Sequence, residues 1–245
     1  MSSQQCCPVD EEERLRLDVE LLGTALPPFT KPDLARMRSE ASGGISLVGC
    51  LIITFMGITF GMSGSCTPET RSALTVTVVS LAVTAIACLS YILMGDPGVV
   101  RRTQDACLPL PAEVAEKLSV WNPQDPAAAV GHPLDGMNNI KEPERSYCVR
   151  CCLWRHHNEE LPRRGRIHRA IAGRQVDTVK FHHCSTCQRC VRHFDHHCGV
   201  LGRCIAGRGL SGNMPCFIML IMCAYAGTIC AGAAVVLGIL QGAIV

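Results

Sequence analysis

Charge is scarce in this sequence. Only 18% of its residues are Asp, Glu, Lys or Arg against 48% hydrophobic, and the mean hydropathy is positive. That balance is unusual for a soluble domain and favours a membrane class. A basic excess is missing as well: with a net charge of +2 there is little to displace counterions from a phosphate backbone, which excludes nucleic acid as a partner. Residues 1–42 also lack the basic start and early apolar core of a secretory signal. They carry an acidic run from Asp10 to Glu13 and the triplet Leu26-Pro27-Pro28 instead, so the first apolar stretch is expected to act as its own targeting signal.

Three stretches contain no charge at all: 44–62, 73–94 and 215–245. Each is long enough for a helix to cross a hydrocarbon core of about 30 Å, and none shows the polar face of a helix packed in a soluble core. The polar connection 63–72 predicts a helical hairpin. Of the 23 Lys and Arg, residues 1–42 hold 5, the connection holds only Arg71, and residues 95–214 hold 17. The positive-inside rule then places the N-terminus and residues 95–214 in the cytosol. Cys6 and Cys7, in the N-terminal tail, are candidate lipidation sites. The third stretch, at about 1.5 Å per residue, would span about 46 Å, too long for one upright crossing and too short for two.

After the second stretch come Asp96-Pro97-Gly98, which should stop the helix, and Arg101 and Arg102, expected among lipid headgroups. Residues 103–146 are rich in proline without sustained periodicity and read as an irregular linker.

What the sequence has in abundance is cysteine. Eight of the seventeen lie between Cys148 and Cys204, with most of the nine histidines among them. Disulfides need no histidine, whereas metal sites use it. Cys148-x2-Cys151, then His183-Cys184-x2-Cys187-x2-Cys190, then Asp195-His196-His197-Cys198 and Cys204 offer enough thiols and imidazoles for two tetrahedral zinc ions, with a thiol to spare. Cys198, beside His196 and Asp195, has the surroundings of a nucleophile whose proton an imidazole can take. On spacing alone it is equally one more ligand in a zinc knuckle. His182, His193, His156 and His157 are alternative ligands, and Cys152 beside Cys151 leaves the register of the first site open.

The Asp195-His196-His197-Cys198 string, Asp96-Pro97-Gly98 and Asn213-x3-Phe217 together resemble the DHHC family of protein S-acyltransferases. The resemblance implies an α-helical polytopic membrane protein, with at least three transmembrane helices and a small cytosolic zinc-binding cysteine-rich domain between the second and third. The organisation it implies is a tail (1–42), helices at 44–62 and 73–94, a linker (95–147), a cysteine-rich domain (148–214) with a basic insert (153–180), and a third helix (215–245). It assigns Cys148, Cys151, His183 and Cys190 to one structural zinc ion and Cys184, Cys187, His197 and Cys204 to another. Cys198 is left as nucleophile, with His196 as general base and Asp195 orienting it. The expected reaction is ping-pong: fatty acyl-CoA, most simply palmitoyl-CoA, acylates Cys198, and the acyl group passes to cysteines of proteins at an endomembrane (Golgi, endoplasmic reticulum or plasma membrane). The helices are expected to supply an apolar cavity for the chain.

The sequence departs from the family in several places. Gly199-Val200 stands where Pro-Trp usually follows the nucleophile. The lead-in to His183 reads Asp177-Thr178-Val179-Lys180-Phe181-His182, without the usual basic and proline pattern. Between Cys151 and His183 lie 31 residues, about three times the usual number, and the insert's arginines (Arg155, Arg163, Arg164, Arg166, Arg169, Arg174) suit either a solvated loop or anionic headgroups and CoA phosphates. A glycine-rich loop separates Cys204 from Asn213. The family's fourth helix and Thr-Thr-x-Glu element do not follow, and a truncated chain is expected. A non-catalytic zinc scaffold on membrane helices is the alternative function. A membrane-bound RING-type ubiquitin ligase would leave Cys198 without a role.

Overall fold

The computed structural model describes residues 26–122, 132–156, 179–208 and 211–243. The candidate lipid sites Cys6 and Cys7, most of the basic insert and the alternative ligand His157 lie outside them. In chain order the elements are α1 (Leu34–Met62), α2 (Pro68–Met94), α3 (Gln104–Cys107), α4 (Ala112–Ser119), β1 (Ile140–Lys141), β2 (Arg145–Cys148), β3 (Leu153–His156), β4 (Phe181–Cys184), β5 (Arg189–Arg192), β6 (Phe194–Cys198), β7 (Arg203–Ala206) and α5 (Met214–Gly242). The strands form one antiparallel three-stranded sheet, β1-β2-β3, and two two-stranded sheets, β4-β5 and β6-β7. The chain divides into two compact units: the first holds 1–31, 100–183 and 188–190, the second 32–99, 184–187 and 191–245.

In the second unit α1, α2 and α5 pack on one another. All three are long and apolar enough to cross a membrane. Two begin earlier than composition suggests. Residues 34–42 read as tail because Arg36, Arg38 and Glu40 interrupt the apolar run, yet the helix starts at Leu34. Asp33 caps it, its carboxylate accepting from the Arg36 N–H at 3.0 Å, and Arg36 pairs with Glu40 one turn on at 2.7 Å. Thr67 likewise caps α2, with Pro68 at the first helical position. Arg71, expected in the connection, lies in that first turn and donates to the carbonyls of Ser63 and Gly64, at 3.1 and 2.7 Å, closing the hairpin. The helix ends at Met94, just ahead of Asp96-Pro97-Gly98 as expected, and the Asp96 carboxylate shapes the turn that follows by taking the N–H groups of Gly98 and Val99 at 2.9 and 2.8 Å. Asn213, fully buried, accepts from the Ala206 N–H and donates to the Cys204 carbonyl, both at 2.9 Å, which ties the start of α5 to β7.

The first unit corrects the expectation of an irregular linker. Prolines at 109, 111 and 143 cut the segment into pieces too short to show periodicity, but α4 is amphipathic, with Val114 fully buried and Leu118 one turn on packed on the same core. That core gathers around Tyr147 and Trp154, whose rings meet edge to face at 5.1 Å; the Trp154 indole N–H donates to the Pro109 carbonyl at 2.7 Å. Arg102, expected among headgroups, is engaged by protein groups. It stacks on Phe29 at 3.9 Å and donates to the carbonyls of Pro27 and Cys151, each at 2.8 Å, because a buried carbonyl needs a donor more than an arginine needs lipid.

Candidate functional site

Three hairpins share one turn. Each first strand ends on a cysteine, Cys148, Cys184 or Cys198, four turn residues follow, and the return strand begins at Leu153, Arg189 or Arg203. The fourth turn residue is left-handed in all three: Cys152 at φ 52°, Gln188 at φ 52° and Gly202 at φ 62°. Such a turn aims the first and fourth residues of Cys-x2-Cys at one point. In the third hairpin the fourth place is Leu201, so Cys198 occupies a knuckle position whose second thiol is missing.

The remaining donors sit next to the strand ends. His197 directly precedes Cys198 and lies opposite Cys204 across the ladder. Tyr147 and Trp154 hold the same cross-strand positions in the first hairpin, where an aromatic pair replaces a ligand pair. Two sets of four result: Cys148, Cys151, His183 and Cys190, and separately Cys184, Cys187, His197 and Cys204. In each set all ligand atoms lie within 4.8 Å of one another. Zinc bond lengths imply about 3.6 Å between donors at the corners of a tetrahedron. The His197 Nδ1 is 3.5, 3.5 and 3.7 Å from the sulfurs of Cys184, Cys187 and Cys204. The His183 Nδ1 is 3.2, 3.7 and 4.0 Å from those of Cys151, Cys148 and Cys190. Both donor sets fit a tetrahedral metal ion.

Thiols so crowded compete for protons. Hydrogen bonds from Cys151 and Cys190 hold Cys148 well below the ordinary thiol range, and the bond to Cys148 drives Cys190 well above it. In the other set Cys187 and Cys204 hold Cys184 low, and Cys204 is driven high by the same contacts. Burial opposes charge on His183, but its bonds to Cys148 and Cys151 win and raise it to about 10. A divalent cation would bind all of these thiols as thiolates.

The register left open at Cys151-Cys152 is resolved by geometry. Cys152 is fully buried, its thiol pointing to the Val149 carbonyl at 3.4 Å and pushed up to about 12 by burial. His182 and His156 are exposed, and neither they nor His193 belongs to either set of four.

Side chains alternate along a strand, so His196 and Cys198 share one face of β6 while His197 points to the other. His196 Nδ1–H donates to the Asp195 carboxylate at 2.9 Å, which leaves Nε2 as the acceptor. Its ring meets Phe217 edge to face at 5.4 Å. Cys198 is 8% exposed and lies on the wall of an apolar cavity of about 270 Å³ that Phe217 also lines. The rest of the wall comes from α1 (Leu47, Leu51, Phe55), α2 (Val78, Ala82) and α5 (Leu220, Ala224), with Val200 and Leu201 beside the thiol.

Residues 172–241 match the family model described as DHHC palmitoyltransferase. The chain carries the DHHC signature. The match takes in His183 to Phe217 and begins after Cys148 and Cys151. Among curated proteins, the probable protein S-acyltransferase 2 of Arabidopsis thaliana is 27% identical over 180 residues, 73% of this chain and 36% of its own length. The palmitoyltransferase Hip14 of Drosophila melanogaster is 46% identical over 48 residues (19% and 8%), and the probable protein S-acyltransferase 3 of Arabidopsis thaliana 54% over 39 residues (16% and 8%). The chain thus spans about a third or less of the length of these relatives. No solved structure matches it. Sequence reasoning missed one residue of the DHHC region's surroundings: Glu40, whose carboxylate accepts from the His197 Nε2–H at 3.0 Å. Nothing in the pattern of residues 34–43 pointed to a partner 157 positions away.

Proposed function

We propose that this protein is an S-acyltransferase that carries a fatty acyl group on Cys198. The carrying observation is that Cys198, outside both four-residue donor sets, lies on an apolar cavity and shares a strand face with a carboxylate-oriented histidine. In the first half-reaction the Cys198 thiolate attacks the thioester carbonyl of a fatty acyl-CoA. A new C–S bond forms, the bond to CoA breaks, and CoA leaves as its thiol with a proton from His196. In the second, a substrate cysteine gives its proton to His196 Nε2, attacks the acyl-enzyme and takes the acyl group, and Cys198 is released. Each CH2 of the chain gains about 0.8 kcal/mol in the cavity, and palmitoyl-CoA is the donor we assign.

Cys148, Cys151, His183 and Cys190 would hold one zinc ion and Cys184, Cys187, His197 and Cys204 a second. Four protein ligands fill each coordination sphere, so the metal cross-links the hairpins and leaves the chemistry to the side chains. We place residues 95–214, which include the cysteine-rich region and carry 17 of the 23 basic residues, between the second and third membrane helices on the cytosolic side. The substrates are cysteine-bearing proteins at an endomembrane surface.

The test is covalent labelling of purified protein in detergent with alkyne-tagged palmitoyl-CoA. Wild type gains a hydroxylamine-sensitive label and Cys198→Ser gains none; equal labelling of both overturns the assignment. A second reading, a zinc scaffold without transfer activity, draws on Gly199-Val200 in place of Pro-Trp. It requires the wild type to stay unlabelled while binding two metal equivalents.

A further inference from the structure

The start of α1 is held by three contacts within one unit, one to the turn of the second hairpin and two to the hairpin that bears Cys198. The Asp33 N–H donates to the Thr186 carbonyl in the turn of the second knuckle at 3.0 Å. The Met37 carbonyl lies so near Gly202 that no side chain fits there. Further along the same helix Glu40, whose side chain is only 14% exposed, accepts from two donors at once: the His197 Nε2–H at 3.0 Å through one oxygen and the Arg36 Nε–H at 2.7 Å through the other.

We infer that Glu40 is a positioning residue for the acyl-transfer hairpin. An imidazole whose Nδ1 is to serve as a ligand must carry its proton on Nε2, and a carboxylate on that side fixes both tautomer and ring plane. Glu40 does this for His197, in strand β6. The strand that Glu40 steadies by one face presents His196 and Cys198 on the other. A carboxylate suits the place because it has an oxygen for each donor. A glutamine offers one carbonyl oxygen to two N–H groups and turns its NH2 toward either Arg36 or His197. The inference rests on the reading that Cys184, Cys187, His197 and Cys204 hold zinc.

The test uses the full chain in detergent micelles, as wild type, Glu40→Gln and Arg38→Gln. Arg38 is exposed in the same turn, so its variant removes a charge without touching His197. Zinc content is measured by mass spectrometry before and during a timed challenge with a colorimetric chelator, and self-acylation with alkyne-tagged palmitoyl-CoA is followed in parallel. Glu40→Gln is expected to release one of two zinc equivalents tenfold to a hundredfold faster than wild type, the range for such supporting partners, and the other at the wild-type rate. Its self-acylation should fall at least tenfold and recover when free zinc is added. Arg38→Gln should match wild type in both readouts. Release of both equivalents at wild-type rates, or of both equally fast, overturns the inference, the second because it marks a general loosening of α1. Selective release with undiminished labelling overturns the role in the reaction. A wild type that purifies without zinc overturns the metal reading itself, and Glu40's role with it.

Discussion

The two donor sets are alike in chemistry and unlike in support. Both present three thiols to a histidine Nδ1, and in both the other imidazole nitrogen faces an oxygen. For His183 that oxygen is the amide of Gln188, five residues on, at 3.4 Å; for His197 it is the carboxylate of Glu40, 157 residues back, at 3.0 Å. A long contact to a neutral amide is weak, whereas a short one to a carboxylate is charge-assisted and about twice as strong. The first set is therefore a local staple of its own hairpins. The second fastens the strand that bears Cys198 to a membrane helix.

Breaking a ligand in either set should have the largest effect and show the difference most clearly. Structural zinc contributes on the order of 10 kcal/mol to the folding of small metal-bound modules. Cys184→Ala should lose one zinc equivalent, and its self-acylation should drop below a hundredth of wild type, because His197 and β6 go with the metal. Cys148→Ala should also lose one equivalent but keep more of the labelling, since His197, the chain neighbour of Cys198, belongs to the other set. Metal content and label per molecule, measured on the same preparations, check both. Equal losses of labelling would mean that the first set supports the thiol as directly as the second.

A gain of function sharpens the comparison further. Leu201 stands where the first two hairpins have Cys151 and Cys187, so Leu201→Cys would complete a third Cys-x2-Cys pair and make Cys198 a ligand. Self-acylation of that variant should become at least tenfold more sensitive to added cadmium, which prefers thiolates, at concentrations that leave the wild type active. Unchanged sensitivity would show that the third turn does not aim its first and fourth residues at one point.

Much of the site was legible before the structure because metal binding uses few residue types at short spacings. Cys-x2-Cys pairs and the Asp195 to Cys198 string are local, and the charge-free stretches announced three membrane helices. The repetition of the knuckle was hidden for two reasons. Its left-handed position is filled by Cys152 and Gln188, where glycine would have signalled the turn, and Leu201 breaks the cysteine pattern in the third copy. Glu40 was illegible because its partner is 157 residues away, and a charged residue ahead of an apolar run reads as tail. The helices between 104 and 119 were missed because they span too few turns to show a period.

Backbone geometry gives a smaller effect. At Gly202 the left-handed φ of 62° and the nearby Met37 carbonyl both exclude a side chain. Gly202→Ala should cost about 2 kcal/mol, with strain and steric displacement combined. A melting curve followed by a thiol-reactive dye measures it. The matching change in the first hairpin, Cys152→Gly, relieves a strained φ but empties the place of a buried thiol; the two effects oppose each other, and the melting point should move less.

The smallest effect separates a buried thiol from a reactive one. Cys152 and Cys198 are both buried and both lie outside the two donor sets, so burial alone does not distinguish them. Burial holds the Cys152 thiol up near 12, so below that pH it stays protonated and is a poor nucleophile, since only the thiolate attacks. Cys152→Ser keeps a donor for the Val149 carbonyl and should change stability by no more than about 1 kcal/mol, with two zinc equivalents and full self-acylation retained. At pH 8 the acyl label should map by peptide mass spectrometry to Cys198 alone of these two. Label on Cys152 would mean that its hairpin opens in solution and that the left-handed turn, despite its shared shape, does not hold its residues as firmly in the first unit as in the second.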